Sequence, residues 1–197
     1  YSLDIEAGDR GLIGRSGQGW NGDDLIYVAP DGSYVLLSIQ KNIYNWPQVM
    51  RFPLDEADNG DEVQGQKRDV FDWWADNEGT VRIGGGWLNG RYRVYYREDE
   101  DDGFNEIGRL ASGSEEMESW NVSSLTAGSD IGYVIQKTES GRKALLRYNY
   151  ATQEVVDTVY ENPDWDVTDA YYDRDNQPIA VAYTAESARI EWLTPEL

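Results

Sequence analysis

The sequence predicts an all-β fold, a β-propeller segment of about four four-stranded blades. Three observations carry the prediction. Helical periodicity is scarce, and short alternating or wholly apolar runs dominate, separated by Gly, Asp and Asn clusters. Hairpins recur at regular spacing along the chain. The stretch that opens at Val70 returns at Val167, an offset of 97 residues. That offset is two units of about 48, a period in the range of propeller blades. The alternative with the same ingredients is a β-sandwich of ordinary hairpins.

The hairpins come in chain order. Leu25 to Ile39, LIYVAPDGSYVLLSI, turns at Pro30-Asp31-Gly32. Val81 to Tyr96, VRIGGGWLNGRYRVYY, turns at Asn89-Gly90, a strong signal for a tight two-residue turn. Ile131 to Tyr150 turns near Glu139-Ser140-Gly141, and Ile179 to Leu193 forms the fourth. A second element, strand–acidic turn–strand, follows in Gln48–Gln66, Arg91–Leu110 and Leu145–Glu161. The opening YSLDIEAGDRGLIGRS has the same shape, with Leu3-Asp4-Ile5 against Tyr148-Asn149-Tyr150 and Gly8-Asp9 against Gln153-Glu154.

This register divides the chain into a partial blade over 1–20, blades over 21–66, 67–112 and 117–162, and a partial blade over 163–197. Both ends fall inside a blade, which predicts a piece of a longer chain and an arc of a seven- or eight-bladed wheel. Such an arc would expose blade faces, so self-association is expected.

Trp73 and Trp74 sharpen the choice of fold. Neighbours on a strand point to opposite faces. In a simple two-layer sheet one of the two rings would be wet, whereas a blade packed between two neighbours buries both. Tyr95-Tyr96 and Tyr171-Tyr172 invite the same reading.

Composition narrows the function classes. Hydrophobic residues are 40 % and aromatics 13 %, enough for a sizeable core. The formal charge of −20 repels phosphate backbones and anionic membranes; its plain reading is solubility, with attraction of cationic peptides as the alternative. No apolar run is long enough to cross a bilayer. There is no Cys and no His. Disulfides, thiolate or imidazole metal sites and a Ser-His-Asp triad within this sequence are thereby excluded. The compartment stays open between cytoplasm and periplasm, and nothing points to a cofactor.

The segments DDLIYVAPDGS, KNIYNWPQV, VQGQKRDVFDWWADNEGTVRIGGGW and RYRVYYRE resemble the amino-terminal propeller of prolyl oligopeptidase-family serine peptidases. The acylaminoacyl-peptidase and dipeptidyl aminopeptidase branch is the nearest in character, and the segment from Tyr133 to Leu197 is similar to the same domain. The resemblance implies a propeller that caps an α/β-hydrolase domain of the same parent chain and admits short or unfolded peptide substrates. It departs from the family at the chemistry. The hydrolase elbow is G-x-S-x-G, and in GRSGQG around Ser16 the last position is Gln18. No residue of this chain is therefore assigned a catalytic role, and no family binding residue is carried over; the alternative to a gating propeller is a free-standing propeller scaffold that binds protein or carbohydrate.

Other constellations have plain structural readings. Asp173 to Gln177, DRDNQ, spaces two carboxylates like a calcium loop, but Pro178 and Thr184 stand where such a loop needs Gly and Glu. Arg97–Gly103 and Asp55–Glu62 are acidic turns. Asp72 and Asp169 share one blade position and are expected to accept backbone N–H bonds where strand meets loop. The three glycines in Ile83–Trp87 lack the helix start and Lys of a phosphate loop, so close backbone approach is expected there. The many rings are expected in blade packing, with a sugar-stacking platform as the alternative.

Overall fold

The computed structural model describes residues 2–3, 10–11, 13, 24–55, 60–114 and 121–194. Strands are the regular elements of these residues. A short two-stranded antiparallel sheet pairs β1 (Ser2–Leu3) with β2 (Arg10–Gly11). The other predicted features of residues 1–23, Ser16 included, lie outside the described residues.

Four larger antiparallel sheets follow, each with its strands in chain order. The first holds β3 (Asp24–Val28), β4 (Tyr34–Ile39), β5 (Gln48–Pro53) and β6 (Asp61–Gln64). The second holds β7 (Asp72–Ala75), β8 (Val81–Leu88), β9 (Arg91–Tyr96) and β10 (Asn105–Ala111). The third holds β11 (Asn121–Leu125), β12 (Ile131–Lys137), β13 (Lys143–Asn149) and β14 (Glu154–Tyr160). The fourth has three strands, β15 (Val167–Tyr172), β16 (Pro178–Thr184) and β17 (Ala188–Trp192).

The turns form where the sequence supplies left-handed residues. Asn89 and Gly90 have φ of 54° and 73°, as a two-residue turn between β8 and β9 requires. The turn between the first two strands of each blade likewise carries one left-handed residue: Gly32, Gly79, Gly128 and Asn176. The last is an asparagine, the commonest substitute for glycine there.

The sheets pack face to face in series through three buried clusters. Leu36 and Val49 of the first meet Val70, Trp73 and Val81 of the second. Ile83, Val94 and Tyr96 of the second meet Val122, Leu125, Val134 and Leu146 of the third. Tyr133, Ile135 and Leu145 of the third meet Val167, Ala170 and Val181 of the fourth. Four such sheets, with their first strands converging, are the blades of a β-propeller.

The paired rings divide as the fold requires. Trp73 is buried between the first and second blades, where its indole N–H donates to the Pro47 carbonyl at 3.1 Å. Trp74 packs into the cluster between the second and third. Tyr95 and Tyr96 split the same way. Tyr171-Tyr172 departs from the expectation. Tyr172 packs against the third blade, but Tyr171 is 42 % exposed because no further sheet among the described residues packs on the outer face of the fourth.

The glycine run in β8 answers to close approach. A Cβ at Gly84 would stand 2.9 Å from the Trp73 ring. One at Gly85 would meet the Tyr92 hydroxyl, and one at Gly86 the main-chain carbonyl of Asp69. The small residues of the second strand thus let the first and third strands place large side chains over it.

Candidate functional site

The first strands of the blades converge on a common groove. A cavity of about 380 Å³ lies against β3, β7 and β11, with Asp24, Asp72, Trp74 and Ser123 among its walls. Asn77, in the turn after β7, fixes this arrangement. Its backbone N–H donates to Leu125 O at 3.2 Å, and its side chain accepts from Ala127 N at 2.8 Å. Its Nδ2 donates to Arg174 O of the fourth blade at 3.2 Å, and its carbonyl receives the Tyr27 hydroxyl of the first at 3.5 Å. One turn residue therefore links all four blades at one end of the groove.

The carboxylates nearby do different work. Asp76 accepts the N–H groups of Glu78 and Thr80 at 3.0 and 2.9 Å and so closes its own turn. Asp173, its counterpart two blades on, accepts those of Asp175 and Gln177 at 3.0 and 2.8 Å. The DRDNQ stretch is thus a self-capped turn. Asp169 accepts the Ala170 N–H at 2.8 Å, as expected. Asp72 departs from its predicted role: the Tyr92 hydroxyl reaches across β8 above Gly85 and donates to it at 2.6 Å.

Asp72 is the electrostatic centre of the groove. Burial pushes its carboxyl above its ordinary pKa, and the charge of Asp24 adds to the rise, against the Tyr92 hydrogen bond. Among the described residues no lysine or arginine forms an ion pair with Asp24 or Asp72. Among the described residues the groove therefore presents negative charge without a resident counter-ion. Among the described residues, no group of three or more metal-ligating side chains comes together.

Arg82 anchors the wall behind the groove. It is buried in β8. It donates Nε to Arg97 O at 3.2 Å and Nη1 to Thr126 O and Ser129 O at 3.0 and 2.8 Å. Its Nη2 reaches the Tyr96 hydroxyl, which donates to Asp130 at 2.5 Å. Asp76 and Asp130 lie 4.0 and 3.7 Å from the guanidinium. The planar fork of Arg satisfies several acceptors at once, and so it ties the second blade to the turn of the third.

Asn77 and Arg82 were not singled out by sequence reasoning. The signal for Arg82 was a charged residue inside the apolar run Val81-Arg82-Ile83. Asn77 carried no signal, because its partners lie in other blades. The Arg97–Gly103 stretch is an exposed turn in which Arg97 is turned inward, its Nε donating to Val81 O at 2.7 Å.

No protein-family model matches the sequence, and no curated protein matches it significantly. Solved structures do. The TolB protein of Acinetobacter baumannii, a β-propeller protein, is similar with a TM-score of 0.53 at 15 % identity, over 97 % of this chain and 45 % of its own. Oligogalacturonate lyase of Vibrio parahaemolyticus aligns with a TM-score of 0.41 at 12 % identity, over 85 % of this chain and 46 % of its own. This chain thus spans less than half the length of either. The likeness to TolB supports the propeller fold.

Proposed function

We propose that this propeller is a non-catalytic binding scaffold that takes extended, cationic polypeptide in the groove along its first strands. The observation that carries the reading is the pair Asp24 and Asp72, without an ion-pair partner among the described residues, beside Trp74 in a cavity of about 380 Å³. An ammonium or guanidinium there would relieve the repulsion between the carboxylates, and an aromatic wall favours cations. The net charge of −20 would steer such ligands toward the molecule.

In the prolyl oligopeptidase arrangement that the sequence resembles, the same groove would meter peptides to an α/β-hydrolase domain of the parent chain. A gene that encodes G-x-S-x-G, Asp and His downstream of Leu197 would support that role over a free-standing scaffold. The binding reading is tested by calorimetric titration with a short Lys-rich peptide and its Glu-substituted counterpart. The Lys-rich peptide is expected to bind, with affinity falling as salt rises and about tenfold weaker for Asp72→Asn. Equal affinity for both peptides, or no effect of Asp72→Asn, would overturn it.

A further inference from the structure

We propose that the groove prefers lysine to arginine in the polypeptide it takes, and that Tyr92 sets the preference by holding Asp72. The inference rests on the binding reading above and adds the chemistry of the cation. Asp72 opens β7, and Gly85 stands opposite it on β8. Gly85 lacks the Cβ that would meet the Tyr92 hydroxyl, so the phenol of β9 crosses above it and donates to Asp72 Oδ2 at 2.6 Å. Trp87 meets the Tyr92 ring edge to face, with centroids 5.4 Å apart and planes at 71°. Burial, and after it the charge of Asp72, holds the Tyr92 hydroxyl above the ordinary tyrosine range, so it keeps its proton and stays a donor.

Asp72 therefore meets a ligand with one oxygen already engaged. Among the described residues no donor bonds to the other, Oδ1. The second carboxylate of the groove stands on another strand. Asp24 opens β3, is exposed, and lies near enough for its charge to disfavour the Asp72 carboxylate. The charge of the groove is thus split between two carboxylates on two blades.

The two natural cations answer this arrangement differently. An arginine guanidinium is a planar fork that matches both oxygens of a single carboxylate. Asp72 offers it only one. A fork on exposed Asp24 alone would be a solvent-screened pair that gains little. A lysine ammonium is compact and carries three rotatable donors. It can bond Oδ1 of Asp72 and an oxygen of Asp24 together, which cancels the repulsion between them. The Trp74 ring accepts either cation, so the carboxylates decide.

Calorimetric titration with a short Lys-rich peptide and its Arg-substituted counterpart tests this. The Lys-rich peptide should bind the wild type at least about tenfold more tightly, the order of one charge-assisted hydrogen bond. Tyr92→Phe keeps the ring and removes the hydroxyl, which lets Asp72 turn both oxygens to a fork. The Lys-to-Arg affinity ratio should fall toward one, a change that a purely structural role for Tyr92 would not produce. Asp24→Asn, at an exposed position, removes the bridge without touching the Tyr92 contact and should also lower the ratio, with unchanged circular dichroism. Equal affinities in the wild type, or tighter binding of the Arg-rich peptide, would overturn this inference and leave the binding reading standing. A ratio unchanged in Asp24→Asn would overturn the bridging, and one unchanged in folded Tyr92→Phe the role of Tyr92. Binding of neither peptide would overturn the binding reading and this inference with it.

Discussion

Replacing Arg82 with methionine tests the tie between the second and third blades. The side chain is 1 % exposed, and its apolar stem is roughly matched in volume by methionine, so the change removes hydrogen bonds rather than opening a large cavity. Three main-chain carbonyls, those of Arg97, Thr126 and Ser129, lose a donor. Thr126 O keeps the Ser129 N–H at 3.3 Å, which limits its loss. Asp76, with its side chain 3 % exposed, keeps two backbone donors but loses its cation. Breaking a buried charge network from one side costs about 3–5 kcal/mol. With an m-value near 2 kcal/mol/M, the urea midpoint should fall by about 2 M. Arg82→Lys keeps the charge but not the fork, and should fall between. A midpoint shift under about 0.25 M for Arg82→Met would refute the reasoning, since the about 0.5 kcal/mol of a surface substitution moves the midpoint by no more than that.

Two further outcomes follow from the same geometry. Gly86→Ala drives a methyl onto the Asp69 carbonyl and should cost about 2 kcal/mol or more, whereas Gly103→Ala meets open space and should stay within about 0.5 kcal/mol, both read from urea midpoints. Asp72 has its folded pKa raised, so the native state holds the proton more tightly than the unfolded chain. Its unfavourable contribution is fully present above the raised pKa and is relieved as pH falls from there toward the unfolded value. Asp72→Asn should therefore stabilise the protein at pH 7 and flatten that part of its pH profile, measured by midpoints across the acidic range.

The legible part of the fold was local. Asn89-Gly90 and Asp31-Gly32 specify their turns through backbone conformation alone, and the run of hairpins needs nothing more distant. Trp73-Trp74 was legible as well, because a ring on each face of one strand requires cover on both sides, and the two neighbouring blades supply it. Tyr171-Tyr172 carries the same sequence signal but lies on a sheet that has a neighbour on one face only among the described residues, a distinction that only the arrangement of blades makes. The groove was illegible for a related reason. Asp72 reads, with Asp169, as a carboxylate that accepts backbone N–H bonds until Tyr92 is seen to reach it over Gly85, and Asn77 gains its role from partners up to 97 residues away.

The most direct test of the account is an NMR titration of the labelled chain with the Lys-rich peptide. Binding in the groove should move the backbone amides of Asp24, Asp72 and Ser123 together, since they sit on β3, β7 and β11 around one cavity. The indole N–H of Trp73, held by Pro47 O inside the first blade interface, should stay in place. Shifts confined to the separate cleft beside Tyr34 and Arg51, or no shifts at all, would contradict an axial binding groove.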